Sequence, residues 1–251
     1  MPPQRIISLV PSQTELLFDL GLDNEVVGLT KFCTHPANKV KHKPQVGGTK
    51  TLNLNQIHQL RPDLLIANKE ENTREQIEEL QRHYPVHITD VNTLPDALAM
   101  IREVGYLVGK SAAADQMANQ IDQSFSASLA HHTFGSVVAY FIWRKPYMVA
   151  ANNTFIHSML EIAGFRNAFA QRTRYPEITP DDLRTAQPDL IFLSSEPYPF
   201  TEKHRADFQA ICPSAGVKLV DGELFSWYGS RLLRASEYFM NLREKIIHTD
   251  T

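Results

Sequence analysis

The sequence predicts an α/β protein with two Rossmann-like lobes, each built on a parallel sheet, joined by one long backbone helix. Strand and helix patterns alternate up to residue 93, a helical pattern follows over 94–131, and alternation then resumes over 132–251. A chain of 251 residues is long enough for two modest cores. We therefore expect an N-terminal lobe (1–93), a connecting helix (94–131) and a C-terminal lobe (132–251), with a ligand cleft between the lobes.

Short β-branched runs and amphipathic segments define the elements of each lobe. In the first lobe the predicted strands are "RIISLV", "EVVGLT", "DLLIA" and "VHITDV", and the predicted helices are "PSQTELLFDLGL", "LNQIHQL" and "TREQIEELQRHY". In the second lobe the strands are "SVVAYFIW", "DLIFL" and "GVKLVD", and the helices are "NTFIHSMLEIAGF", "TPDDLRTA", "TEKHRADFQAI" and "SRLLRASEYFMNLREKII".

The segment between the lobes has apolar residues three or four positions apart. They are Leu94, Leu98, Ile101, Val104 and Val108, followed by Met117, Ile121, Phe125 and Leu129. A helix of about 35 residues would be roughly 50 Å long, more than is needed to cross a small sheet. It is therefore predicted to connect two bodies, with Gly105, Gly109 and Ser111 as the points where it would bend or break.

Two stretches of the chain are near copies of each other. "LRPDLLIANKEEN" (60–72) and "AQPDLIFLSSEPY" (186–198) each have a polar lead-in, Pro-Asp, an apolar run and an acidic break. "TELLFDLGLDNEVVG" is echoed in the same order by "SMLEIAGFRNAF". The repetition on both sides of a long helical segment indicates two similar lobes.

Composition excludes several classes of function. A net charge of −3 without a Lys/Arg run argues against a sequence-independent nucleic-acid surface. No apolar run approaches the roughly 18–20 residues that span a bilayer, and the start "MPPQRIISLVPS" lacks the pattern of a signal peptide. Cys33 and Cys212 are too few for a disulfide framework and leave the compartment open.

The order of motifs resembles one family of transport proteins. "ISLVPSQTELLFDLGLDNEVVGLT", "PQVGG", "LNLNQIHQLRPDLLIA", "YPEITPDDLRTAQPDLIFL" and "DGELFSWYGSRLL" resemble the helical-backbone (class III, TroA-like) substrate-binding proteins of ABC importers, with the periplasmic cobalamin-binding branch the most similar. The resemblance implies capture of a metal chelate, no enzymatic activity, no resident cofactor or metal, and a monomer that serves a permease and ATPase complex. It also implies a periplasmic or cell-envelope location.

Candidate ligand-binding residues follow the predicted strands, because ligands bind at the carboxyl ends of strands in parallel sheets. The aromatic candidates are Phe32, Trp143, Tyr147, Trp227 and Tyr228, and the polar candidates are His35, Lys69, Arg144, Arg174 and Arg231. Aromatic faces suit a flat macrocycle such as a corrinoid or porphyrin. Core packing is the alternative for each aromatic residue, and solvation is the alternative for each cation.

The ligand itself stays open at this point. Cobalamin is the leading hypothesis, and convergent cations would equally suit an anionic ferric siderophore. Haem would need an axial ligand such as Tyr147, Tyr175, Tyr228 or His35. His35 would alternatively serve as the lower axial ligand of a corrin cobalt or simply be solvated, and no His/Asp/Glu set is evident for a bare metal ion.

The resemblance also implies acidic groups that dock on a cationic permease surface. The matching acids after the two repeated strands are Glu71, Glu75, Glu196 and Glu202. Asn72 and Glu75 also have the spacing of a capping box, which gives Glu75 a purely structural alternative.

Two other classes of protein compete with this interpretation. Motifs for a nucleophile elbow, a phosphate-binding loop, a dinucleotide site or a zinc protease are missing from the sequence, and Ser12 fits a helix cap better than a nucleophile. A cytoplasmic small-molecule-binding protein of the same fold is the more serious alternative, since the chain begins near its first strand.

Overall fold

The computed structural model describes residues 1–129 and 135–248, which divide into two compact units. Unit 1 comprises Met1–Val91, Pro95–Ile121 and Trp227–Arg231. Unit 2 comprises, among the described residues, 92–94, 122–129, 135–226 and 232–248. The α/β class is confirmed. The predicted lobe boundaries differ from this division, since most of the connecting segment and the short stretch Trp227–Arg231 group with unit 1.

Unit 1 is built on a parallel sheet. Its strands are β1 (Ile6–Ser8), β2 (Val26–Leu29), β3 (Gly47–Gly48), β4 (Thr51–Leu52), β5 (Leu64–Asn68) and β6 (Val86–Thr89). Its helices are α1 (Pro11–Asp19), α2 (Ala37–Val40), α3 (Leu54–Leu60), α4 (Arg74–Gln81), α5 (Leu94–Leu107), which starts at the boundary with unit 2, and residues 111–121 of α6 (Ser111–Leu129). The parallel sheet has the order β2-β1-β5-β6, while β3 and β4 form a separate antiparallel pair.

Unit 2 repeats this sheet and adds to it. Its strands are β7 (Val137–Trp143), β8 (Tyr147–Val149), β9 (Arg166–Asn167), β10 (Glu177–Ile178), β11 (Leu190–Ser194) and β12 (Gly216–Val220). Its helices are α7 (Phe155–Ile162), α8 (Pro180–Ala186), α9 (Arg205–Ile211), α10 (Gly222–Ser226) and α11 (Leu232–Ile247), with a 3₁₀ turn at Glu202–His204.

The parallel strands β9-β7-β11-β12 of unit 2 correspond to β2-β1-β5-β6 of unit 1. The predicted parallel sheet is present, and β8 and β10 are antiparallel additions to it. Only residues 144–146 separate β7 from β8. A second strand parallel to β7 would need a connection of a dozen or more residues. Because the link is this short, β8 can only pair with β7 as an antiparallel hairpin.

The connecting segment is helical as expected, but it consists of two consecutive helices. The amide of Lys110 donates to the Gly105 carbonyl (2.7 Å), the Gly109 amide donates to the Tyr106 carbonyl (3.2 Å), and Gly109 has φ +71°. This is the Schellman pattern that ends a helix at a left-handed glycine. Residues 130 and 131 of the predicted helix lie outside the described part of the chain.

The repeated Pro-Asp pairs have a structural role. Asp63 accepts hydrogen bonds from the amides of Gln4 (2.8 Å) and Arg5 (2.9 Å), just before β1. Asp189 accepts one from the amide of Val137 (2.7 Å), at the start of β7. Each aspartate precedes β5 or β11 and binds the beginning of the neighbouring central strand. The repeated Pro-Asp pairs therefore have the same role in both sheets, which is to hold the first residues of the central strand.

Candidate functional site

Asn68 organises the loop at the carboxyl end of β5. Its side-chain oxygen accepts from the amides of Glu70 (2.8 Å) and Glu71 (3.1 Å). Its side-chain amide donates to the Thr89 carbonyl (3.0 Å), and Gln13 donates to the Thr89 hydroxyl (2.5 Å). Because Asn68, Thr89 and Gln13 are buried, these bonds hold the loop in one conformation.

Asn72, at the end of the same loop, does not form the predicted capping box. The cap of α4 is Thr73, without a capping bond from its side chain. The Asn72 side-chain amide instead donates to the carbonyls of Leu9 (3.3 Å) and Thr49 (3.1 Å). The local pattern predicted that Asn72 would cap α4 together with Glu75. The Asn72 side chain instead makes hydrogen bonds to residues that are distant in sequence.

Arg231 forms an ion pair with Glu15 of α1. Its Nε and Nη2 atoms donate to the two carboxylate oxygens at 2.8 Å each, and the side chains are only 6% and 8% exposed. The guanidinium also lies 4.6 Å from the centroid of the Trp227 ring, and that ring lies 5.5 Å from the ring of His35, measured between centroids. These four residues form a connected cluster in unit 1, in which only His35 is partly exposed.

Other predicted contacts of unit 1 lie in different surroundings. Phe32 is 51% exposed and has the ammonium group of Lys31 5.1 Å from its ring centroid. Lys69 is exposed and pairs with Asp90 at 2.6 Å. Tyr228, in contrast, is only 6% exposed. Phe32 therefore presents an aromatic face in unit 1, whereas Trp227 and Tyr228 are packed inside.

In unit 2, Trp143 and Arg144 stand at the carboxyl end of β7. Trp143 is 39% exposed and packs edge to face against Tyr198, with ring centroids 5.6 Å apart. Arg144 donates from Nη2 to Asp207 at 2.6 Å, and hydrogen bonds to Asp207 and Tyr198 raise the pKa of its guanidinium. Among the predicted residues of unit 2, the exposed indole of Trp143 beside the ion-paired Arg144 is therefore the strongest candidate for a ligand contact.

Tyr147 and Arg174, the other candidate ligand-binding residues of unit 2, have different surroundings. Tyr147 packs on the core, with ring centroids 5.8 Å from Phe141 and 5.2 Å from Phe208. Arg174 is exposed, has φ +63°, and donates to the Asn153 carbonyl at 3.3 Å. Their roles in ligand binding remain predictions, and core packing accounts for Tyr147.

The proposed docking acids of unit 1 differ in exposure. Glu75 is exposed in the first turn of α4. Glu71 is half-buried, and burial raises the pKa of its carboxyl, an effect to which the neighbouring Glu70 adds. Of the two, Glu75 is the more accessible charge.

The acids of unit 2 show the same contrast. Glu202 is exposed and pairs with Arg205 at 2.9 Å. Glu196 is half-buried and accepts a hydrogen bond from the Ser226 hydroxyl at 2.6 Å. Glu202 is therefore the freer of the two to meet a partner, while Glu196 is held within its own unit.

Sequence reasoning missed the counter-charges Glu15, Asp90 and Asp207, and also a hollow in unit 2. The hollow has a volume of about 600 Å³ and lies at the ends of β11 and β12 against α11; it is lined by Ser195, Leu219, Val220, Asp221, Glu223, Tyr238, Asn241, Leu242 and Lys245. The strand-end rule would have found Ser195 and Asp221, while the helix residues carry no local signal. Across residues 1–129 and 135–248, His, Cys, Asp and Glu form no group of three or more arranged to hold a metal ion. No helix in those ranges is long and apolar enough to cross a membrane.

Paired α/β units with aromatic and polar side chains at the strand ends are the architecture of a substrate-binding protein. The family model described as periplasmic binding protein matches residues 6–211. The chain belongs to this family, whose members carry substrates and are not enzymes.

Several proteins of this family are similar to the chain. The vitamin B12-binding protein of Pectobacterium atrosepticum is 25% identical over 248 residues, which are 94% of this chain and 86% of that protein. An uncharacterized ABC transporter substrate-binding lipoprotein of Bacillus subtilis, YvrC, is 27% identical over 75% of this chain and 63% of its own length. Among solved structures, the periplasmic vitamin B12 binding protein BtuF of Vibrio cholerae has a TM-score of 0.85 at 23% identity, covering 97% of this chain and 98% of that one. The periplasmic heme-binding protein BhuT, in complex with two hemes, has a TM-score of 0.84 at 23% identity and covers 98% of both chains.

Proposed function

We propose that this protein captures cobalamin or a related corrinoid in the periplasm or cell envelope and delivers it, as a monomer without a cofactor of its own, to the permease and ATPase complex of an ABC importer. Family membership and the vitamin B12-binding proteins among its relatives support this role. The heme-binding protein of similar fold makes haem the second candidate.

One observation favours the corrinoid over anionic ligands: three of the four predicted Lys and Arg candidates form ion pairs within their own units. The pairs are Lys69 with Asp90, Arg144 with Asp207 and Arg231 with Glu15. The propionates of haem or an anionic ferric siderophore call for positive charge that is still available. The peripheral amides of a corrinoid need only uncharged hydrogen-bonding groups. Its ring needs an apolar face, which the side chains of Trp143 and Phe32 would provide.

Calorimetric titration with cyanocobalamin, haemin and ferric enterobactin tests this proposal. We expect tight binding of cyanocobalamin with an affinity that changes little between low and high salt, because exposed ion pairs are screened whereas amide contacts are not. Tight binding of haemin or the siderophore without any heat from cyanocobalamin would overturn the proposal.

The transport step has its own test. Glu75→Lys and Glu202→Lys together should lower cellular uptake of radiolabelled cobalamin and leave binding by the purified protein unchanged, because opposite charge orients docking partners. Glu103→Lys together with Glu237→Lys, at one other exposed acid in each unit, is the matched control. Equal uptake by both variants would count against docking through these glutamates.

A further inference from the structure

The five residues Trp227–Arg231 form a strap between two stretches of unit 2. Ser226 and Leu232, on either side of the strap, belong to unit 2, whereas the strap itself groups with unit 1. The chain thus enters unit 1 for one short passage shortly before its last helix. Such a passage needs contacts that hold it in place.

The strap is attached to the N-terminal half of α1 in two ways. Arg231 makes its two-pronged ion pair with Glu15. Gly229 approaches α1 so closely that a Cβ atom there would lie 2.8 Å from the Ser12 carbonyl oxygen. A planar guanidinium bound at two atoms has one orientation available, so Glu15 fixes the plane in which the Arg231 head group lies.

That orientation matters for Trp227. The Arg231 guanidinium carbon lies 4.6 Å from the Trp227 ring centroid, within the range of a cation–π interaction. The indole in turn meets the ring of His35 at an angle of 73°. His35 follows β2, in a loop at the carboxyl end of the sheet, and is the partly exposed end of this chain of contacts.

We infer that Glu15 is a positioning residue for ligand binding: through Arg231 it fixes Trp227, and through Trp227 it holds His35 at the edge of the sheet. This inference rests on the proposed function. Glu15 itself is buried and makes no contact with the ligand in this scheme. Its contribution passes through the indole, so it disappears when the indole is removed.

A double-mutant cycle in a Trp143→Phe background tests the inference, with Trp227 then the single tryptophan. Glu15→Gln keeps the shape of the side chain and removes its charge. We expect cyanocobalamin affinity to fall about tenfold and Trp227 emission of the ligand-free protein to shift to the red. Adding Glu15→Gln to Trp227→Ala should cause no further loss of affinity, because residues that act in series are not additive. Glu103→Gln, at an exposed carboxylate of unit 1, is the control and should change neither quantity.

The outcomes separate positioning from a structural role. A lower melting temperature with unchanged affinity and emission, or losses that add in the cycle, would overturn the inference. If Glu15→Gln does not fold, Arg231→Lys replaces it, since lysine keeps the charge and loses the fork. If the parent protein does not bind cyanocobalamin, the proposed function fails by itself, while the emission of Trp227 in the ligand-free variants still reports whether Glu15 fixes the indole.

Discussion

Glu15 in α1 accepts two hydrogen bonds at 2.8 Å from Arg231, which lies 216 residues further along the chain. Both side chains are almost completely buried. Removing two charges from water costs several kcal/mol for each ion, and the attraction between them offsets that cost only when the geometry is good. The two-pronged arrangement meets that condition.

Removing one member of this pair should destabilise the protein far more than removing both. Arg231→Leu or Glu15→Leu leaves an unpaired buried charge, for which we expect a loss of about 3–5 kcal/mol in the free energy of unfolding. The double variant Glu15→Leu/Arg231→Leu should lose much less, because no charge is left buried. Urea unfolding followed by far-ultraviolet circular dichroism measures all three, and additive losses would contradict the coupling.

The partner of Arg231 in this ion pair could not be predicted from the sequence. Arg231 was expected to contact the ligand because it follows a predicted strand, and no local pattern points to Glu15 as its partner. The same holds for Asp207 beside Arg144 and for the separation of the strap from its flanks. Pairings between distant segments are set by tertiary structure, which a single sequence does not display.

Features that depend on neighbouring residues were predicted correctly more often than contacts between distant segments. The alternation of apolar runs predicted the α/β fold, and Gly109 was among the positions where the connecting helix was expected to break. The Pro-Asp repeat correctly indicated two similar sheets, although its purpose proved to be the anchoring of β1 and β7. Apolar periodicity and a helix-ending glycine are local features, so the elements that they mark were accessible from the sequence, whereas the local pattern at Asn72 was overridden by hydrogen bonds to distant residues.

The Pro-Asp anchors make a second prediction. Asp63→Ala frees the amides of Gln4 and Arg5, whereas Asp189→Ala frees that of Val137. We expect each change to lower the free energy of unfolding by about 1 kcal/mol, with the larger loss at Asp63. Asp122→Ala, at an exposed position of α6, is the control for loss of a surface charge. Losses no larger than the control would show that the anchors contribute nothing.

We expect His204 to make the stability of unit 2 depend on pH. Its Nδ1 atom accepts a hydrogen bond from the Thr201 amide (2.9 Å), which requires an unprotonated nitrogen. Burial lowers the pKa of His204 below its ordinary value of 6.5, with Arg144 and Lys203 adding to the shift and Asp207 opposing it. The unfolded chain therefore binds the proton more readily, so this contribution is complete above pH 6.5 and is lost as the pH falls below it.

His204→Gln tests that dependence. Glutamine at this position can still accept from the Thr201 amide and does not titrate. Melting temperatures between pH 8 and pH 5 should fall more steeply for the parent protein than for the variant. Parallel curves would show that His204 does not contribute to the loss of stability in acid.

The two tryptophans provide a final prediction about the site. Trp143 is 39% exposed and Trp227 is 6% exposed, so acrylamide should quench Trp143 much more strongly in the ligand-free protein. Trp143→Phe and Trp227→Phe each leave a single indole, which allows the two to be measured separately. If Trp143 lies against the corrinoid, saturating cyanocobalamin should shield it and reduce its quenching constant severalfold, since a macrocycle that covers an aromatic face excludes a solute of that size. The quenching constant of Trp227 starts low and should change little. Undiminished access of acrylamide to Trp143 in the bound protein would show that Trp143 does not contact the ligand.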